Sequence, residues 1–290
     1  MILNRRRFLS IAAAFAATPA VATPHSWHGQ AFGAEVAITL SGPSDIAKRT
    51  LSRAQDIIAQ IESRFSLFQP ESELVRLNAH GSIVPSGALL HVMQLADAAH
   101  QITEGCFDPT VQPLWKALAQ GRAAKPALAL VDWTKVSFAK DLVQLGQGQA
   151  LTFNGIAQGY ATDVISDFLV EQGFNEALVN IGEYRAFGGD WRLGIVDPNY
   201  GLLATRRLSN GAIATSSPMA TPLAGGGHIL HATRHPRWST VTVEAESAAM
   251  ADALSTGLVL ADLGLLKKVR RTDGVHRISL VDAVGDLTTL

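Results

Sequence analysis

Residues 238–257 read WSTVTVEAESAAMADALSTG, and the period of the pattern changes halfway along. From 238 to 245 polar and apolar residues alternate, which puts Val241, Val243 and Ala245 on one face of a strand. After an acidic turn at 244–247 the spacing becomes helical, with Met250, Leu254, Leu258 and Ala261 forming an apolar stripe. Working outward, Ser44 is a plausible N-cap for an amphipathic helix whose inner face is Ala47, Leu51, Ala54, Ile58, Ile61 and Phe65. A second helix is expected over 86–103, with Leu89, Val92, Ala96 and Ala99 inward and Gly105 as its stop. A third is expected over about 155–172, with Tyr160, Val164 and Phe168 on one face and Gly173 at its end. Further strands are expected at 177–181 and 191–196. Helices and strands mix without a regular βαβ repeat, so the fold class is α+β. The stretch 120–126 is the one internal linker expected.

Composition excludes several functions. The 290 residues carry 24 Lys+Arg against 25 Asp+Glu, with no basic surplus to neutralise a nucleic-acid backbone. Nearly half of the residues, 47%, are apolar, which is enough to form a core and excludes disorder. A single cysteine, Cys106, leaves no internal disulfide and no cysteine zinc site. The dinucleotide fingerprint that begins at Gly146-Gln147-Gly148 fails at Leu151, and neither a P-loop nor a G-x-S-x-G elbow occurs. His228, His231 and His235 suggest a metal triad. Three glycines before them and Pro236 after them disfavour a helix, and a strand would turn His228 and His231 to opposite sides.

Four segments carry the chemistry. Residues 103–111, TEGCFDPTV, form a helix stop followed by an Asp-Pro turn, and a capped loop accounts for them equally well. Residues 154–163, NGIAQGYATD, start a helix with small residues, which suits either close packing or a diphosphate on free amides. Residues 180–184, NIGEY, end a strand. In residues 251–257, ADALSTG, Asp252 and Thr256 stand four apart and Ser255 three from Asp252, so three oxygen-bearing side chains share a helix face. Hard cations take such ligands, although a helix whose polar side merely meets water has the same pattern.

In this order and at these separations the segments resemble the FAD:protein FMN transferase (ApbE) family. The matching pieces are Phe32-Gly33-Ala34, Ser66-Leu67-Phe68, Ser72-Glu73-Leu74 with Asn78, and Gly105 through Val111. They continue with Thr152 through Gly159, Asn180-Ile181-Gly182, Thr215-Ser216-Ser217, His228-Ile229 and Ala251 through Thr256. The resemblance implies mixed helices with a mostly antiparallel sheet, in two closely packed lobes with an FAD and magnesium site between them. It implies a Mg-dependent enzyme that moves the FMN half of FAD to a Thr or Ser hydroxyl of a flavoprotein and releases AMP. By position, Asp252 and Thr256 are implied metal ligands, with Ser255 close by and the Gly155 carbonyl a further one. Phe32, Phe68, Cys106, Phe107, Asp108, Thr152 and Gln158 are implied to line the FAD site, and His228 to take the proton of the incoming hydroxyl. The chain departs from the family pattern at Thr152 (Asp in the pattern), Gln158 (Lys), Glu183 (Gly), His231 (Asp) and Ala232 (Pro). His231 is thus the second candidate for the base. An FAD pyrophosphatase giving FMN and AMP, and a non-catalytic flavin-binding maturation protein, share the same site and are the alternatives.

Residues 1–22 have the form of a bacterial export signal. Arg5-Arg6-x-Phe8-Leu9 precedes an apolar run at 11–17 and the cleavage-like Ala20-Val21-Ala22, as in twin-arginine export to the periplasm. A retained N-terminal anchor is the other use of such a segment, though the run is well short of the ~20 residues of a spanning helix. The remainder, 23–290, is expected to be the transferase domain, with 21 basic and 25 acidic residues. The Asn180-Ile181-Gly182-Glu183-Tyr184-Arg185 variant with such a signal resembles a subgroup serving membrane redox complexes, such as the flavoprotein supporting nitrous oxide reductase. The implied acceptor is a periplasm-facing flavoprotein.

Overall fold

The computed structural model describes residues 24–223 and 226–290; the expected export segment lies outside the described residues. Eight strands hydrogen-bond side by side in the order in which the chain makes them, every neighbour antiparallel. They are β1 (Pro24–Ala31), β2 (Ala34–Ser41), β3 (Ala177–Asn180), β4 (Tyr184–Asp197), β5 (Gly201–Ser216), β6 (Thr240–Ala245), β7 (Val275–Val281) and β8 (Leu287–Thr289). The helices are α1 (Ser44–Phe65), α2 (Glu73–His80), α3 (Gly87–Ile102), α4 (Gln112–Ala119), α5 (Ala124–Leu128), α6 (Ala157–Glu171), α7 (Ala248–Leu258) and α8 (Leu263–Val269). The α+β class and the mostly antiparallel sheet are those expected.

Two hydrophobic clusters flank one helix. The larger gathers the buried faces of α1, α2, α3 and α6 against β2 and β3, and the smaller gathers β6, β7, α7 and α8. Ala249 and Ala253 of α7 belong to the first cluster, while Ala251, Leu254 and Leu258 belong to the second. A helix apolar on both flanks is held on both, and its remaining polar positions are fixed in direction. Its N-terminus is fixed as well. Ser247 accepts from the Met250 amide at 3.2 Å, and Asp163 of α6 accepts from the Ser247 hydroxyl at 2.7 Å and the Ala248 and Ala249 amides at 2.9 Å each. Arg185 neutralises Asp163 at 2.9 Å. A Cβ on Gly159 would fall 2.3 Å from the Ala248 carbonyl oxygen, so glycine is what lets α6 approach this terminus.

Several local expectations are corrected. Ser44 is the first residue of α1, and the cap position belongs to Pro43, which supplies no side-chain bond. Helix α3 is capped by Ser86 through the Leu89 amide at 3.2 Å, and its four expected inner residues are buried. Helix α6 starts at Ala157, after a turn at 154–156, and its most buried face is Ala157, Ala161, Ile165 and Leu169, with Tyr160 only half-buried. Strand β6 is buried on both faces, because Thr240, Thr242 and Glu244 on the polar side meet partners from neighbouring strands. Glu244 therefore belongs to the strand, where Arg206 donates to it at 2.8 Å, and the turn is left to Glu246 and Ser247. The expected linker at 120–126 already contains the start of α5.

Candidate functional site

A cavity of about 250 Å3 opens where α7, the start of α6, the end of β5, the loop at 106–112 and the segment at 228–230 meet. Its floor is acidic. Asp252 is 3% exposed, and its Oδ2 accepts one bond, from the Gly159 amide at 3.2 Å. Glu183 follows the end of β3, is buried, and accepts from the Thr215 amide at 3.2 Å. Sequence alone did not decide whether Glu183 faces solvent or the site; it lines the cavity. Burial raises the Glu183 carboxyl well above the ordinary range and the Asp252 charge raises it further. Burial pushes Asp252 up to about 7, with the Gly159 amide working the other way. Two carboxyls with so few donors are expensive to keep charged in a dry site unless a cation joins them.

The oxygens around them suit a hard cation. Thr256 lies one helical turn beyond Asp252, and a Cβ on Gly155 would be 2.8 Å from the Thr256 hydroxyl oxygen, so the Gly155 backbone packs directly on Thr256. Asp252, Glu183, Thr256 and Gly155 all line the cavity, and the donors they could offer a cation are oxygens. Among the described residues no group of three or more His, Cys, Asp or Glu is placed to hold a metal, so a cation here depends on hydroxyl and carbonyl oxygens. Ser255 does not reach the cavity. It is fully buried, donates to the Asp252 carbonyl at 3.0 Å and shares a 2.8 Å bond with Ser216, which in turn bonds Thr256 at 3.1 Å.

Cys106, Phe107, Asp108, Thr152 and Gln158 line the same cavity. Asp108 is already committed: it accepts from the Thr110 amide of its own loop at 2.8 Å, as the capped-loop alternative requires, and from the distant Trp133 amide at 3.2 Å. Gln158 fills the position beside Gly182, whose φ is +88° and where a Cβ would meet the Gln158 amide nitrogen at 2.3 Å. Phe32 and Phe68 do not line the cavity. Phe32 and Gly33, with φ of 52° and 73°, form the two-residue turn between β1 and β2, and the Phe32 amide donates to Glu62 at 2.8 Å. Phe68 is 89% exposed, next to Leu67, which lines a wider groove of about 840 Å3. Gln112 borders both spaces. The groove contains no carboxylate, and the chemistry therefore belongs to the smaller space.

His228 stands on the cavity wall with its ring oriented. Its Nδ1 lies 2.9 Å from the Pro218 carbonyl, which only a protonated Nδ1 can satisfy, so Nε2 of the neutral ring keeps its lone pair. His231 is engaged elsewhere. Its Nδ1 accepts from the amides of Thr233 and Arg234 at 3.0 and 3.1 Å and its Nε2 donates to the Gly105 carbonyl at 3.1 Å, which leaves no free nitrogen to act as a base. Residue patterns did not single out Trp115 or Gln112 of the cavity lining. Thr215, Ser216 and Ser217 were visible only as a matching tripeptide, since their role depends on strand pairing between β5 and β6.

The ApbE family profile matches residues 32–277, and the chain belongs to the ApbE family. A relative from Vibrio cholerae named FAD:protein FMN transferase is 28% identical over 255 residues, covering 75% of each chain. One of the same name from Escherichia coli K12 is 23% identical over 84% of this chain and 80% of its own. Among solved structures, the flavin transferase ApbE from Vibrio cholerae superposes with a TM-score of 0.81 at 22% identity over 93% of this chain and 97% of that one. The ApbE protein of Thermotoga maritima gives 0.82 at 23% identity over 92% and 96%. At these identities the structures establish the shared fold.

Proposed function

We propose that this protein transfers the FMN moiety of FAD to a Thr or Ser hydroxyl of a target flavoprotein, releasing AMP, with Mg2+ as the cation of the acidic floor. The observation that carries this is one cavity, in a chain of the ApbE family, holding both a pair of buried carboxyl groups and a histidine oriented by a backbone carbonyl. Asp252, Thr256, Glu183 and the Gly155 carbonyl would hold the cation, which when bound offsets charge on the phosphate oxygens. Nε2 of His228 takes the proton of the acceptor hydroxyl as its oxygen bonds to the FMN-side phosphorus and the bond to the AMP oxygen breaks. Phe107 and Trp115 offer apolar surface for a ring, and the Asn154 side of the α6 turn faces the same space.

The export-type segment at 1–22 supports a periplasmic location reached by the twin-arginine route. The acceptor is then a periplasm-facing flavoprotein, within a membrane redox complex. Incubating residues 23–290 with FAD, Mg2+ and such a flavoprotein domain, followed by intact-mass spectrometry, tests the proposal. The expected result is a gain of one FMN, lost with chelator and with Asp252→Ala. AMP without a mass gain would make the protein a pyrophosphatase, and intact FAD would make it a binding protein.

A further inference from the structure

The wall that carries His228 has almost no backbone support. Residues 229–236 make no backbone–backbone hydrogen bond among the described residues; the bonds on either side are His228 to Pro218 at 3.0 Å and Arg237 to Val259 at 2.8 Å. The segment is fastened by side chains to the neighbouring loop at 103–108. His231 Nε2 donates to the Gly105 carbonyl at 3.1 Å, Arg234 Nη2 donates to the Glu104 carbonyl at 3.1 Å, and Arg234 Nη1 donates to Cys106 Sγ at 2.8 Å. The receiving loop is itself rigid. Thr103 accepts from the Phe107 amide at 3.0 Å, and His100 of α3 donates to the Phe107 carbonyl at 2.8 Å.

We infer that His231 and Arg234 are positioning residues for His228, forming a clasp that holds its segment in register with the loop bearing Cys106, Phe107 and Asp108. The inference rests on the proposed role of His228. The clasp requires a neutral His231, because Nδ1 accepts two amides and protonation there would replace both bonds with a donor–donor contact. The charged or titratable groups facing the ring are Arg234 on its own segment, Asp108 on the facing loop and His100 on α3. Burial is the main influence, and with Arg234 and His100 it keeps the ring neutral below the usual histidine range; Asp108 and the Gly105 carbonyl oppose it.

The test combines a spectrum that does not depend on turnover with the flavin-transfer assay. In protein labelled with 15N-histidine, two-bond 1H–15N spectra should show His228 protonated at Nδ1 and His231 at Nε2. Arg234→Met should shift or broaden the His228 signals and lower kcat about tenfold, the effect of a reacting group moved by a fraction of an ångström. FAD affinity should stay within about twofold, and Arg234→Lys should recover part of the loss. His231→Asn keeps a local acceptor for the two amides but no longer titrates. Because His231 then no longer has to lose a proton, the acid limb of log kcat against pH should be shallower in the variant than in the wild type. Wild-type kcat with unaltered His228 signals in both variants, or an unchanged slope, would overturn the inference. If the wild type transfers no flavin but the His228 signals still respond, the clasp stands and the role of His228 as base fails.

Discussion

Helix α7 and the segment that begins at His228 both contribute to one cavity and are held in opposite ways. Asp252 and Thr256 ride on a helix packed between two hydrophobic clusters and capped by Asp163, so their spacing is set by the helical repeat. His228 rides on irregular chain whose position comes from a few long-range side-chain bonds. A cation needs several oxygens at fixed separations, which a rigid helix provides. A base needs one free lone pair at one place, and a fastened loop provides that.

The largest effect should come from the irregular side. His228→Ala is expected to lower kcat by about a hundredfold to a thousandfold with FAD affinity preserved, measured by single-turnover flavin transfer. Equal loss of affinity and rate would mean that the ring binds substrate rather than moving a proton. On the helical side, Asp163→Ala removes the acceptor of two amides and a hydroxyl and leaves Arg185 with Asp167 as its carboxylate partner. It is expected to cost roughly 2 kcal/mol of stability in denaturant unfolding, because a capped helix end loses its charged partner. An unchanged midpoint would show that packing alone fixes α7.

A smaller effect concerns the acidic floor. Glu183 and Asp252 both titrate above the unfolded carboxyl range, so the folded chain holds protons that the unfolded chain has released. In chelator, stability should therefore be highest below the ordinary carboxyl range and fall as pH rises through about 7, the value to which burial raises Asp252. Thermal melts with and without Mg2+ check this: the cation should flatten the slope, and Asp252→Asn should reduce it without cation. The smallest effect is expected at Lys268, whose 2.7 Å pair with Glu104 is exposed on both sides. Lys268→Ala should change stability by less than about 0.5 kcal/mol and leave transfer untouched, in contrast to Arg234, which meets the same loop through buried Cys106.

The inner faces of α1 and α3 were legible because a 3.6-residue repeat needs no partner to be recognised. Strands β1, β2, β5, β7 and β8 were missed. The long hairpin of β4 and β5 is largely solvent-facing and mixed in polarity, and β8 is three exposed residues defined only by pairing with β7. In the site, Asp252 and Thr256 were readable from their spacing, and Glu183 was visible only as a departure from the family pattern. Phe68 shows the converse: it matched an aromatic family position yet projects into solvent.

Sequence by itself determined the amphipathic helices, the strand-to-helix switch at 238–257 and the row of oxygens on α7, because these depend on residues a few positions apart. Tertiary structure alone decided that Glu183 joins Asp252, that Ser255 backs Ser216, that His228 is oriented by the Pro218 carbonyl and that His231 fastens a loop. Each of these is a contact between segments distant in the chain, and its direction is set by how the sheet and helices pack.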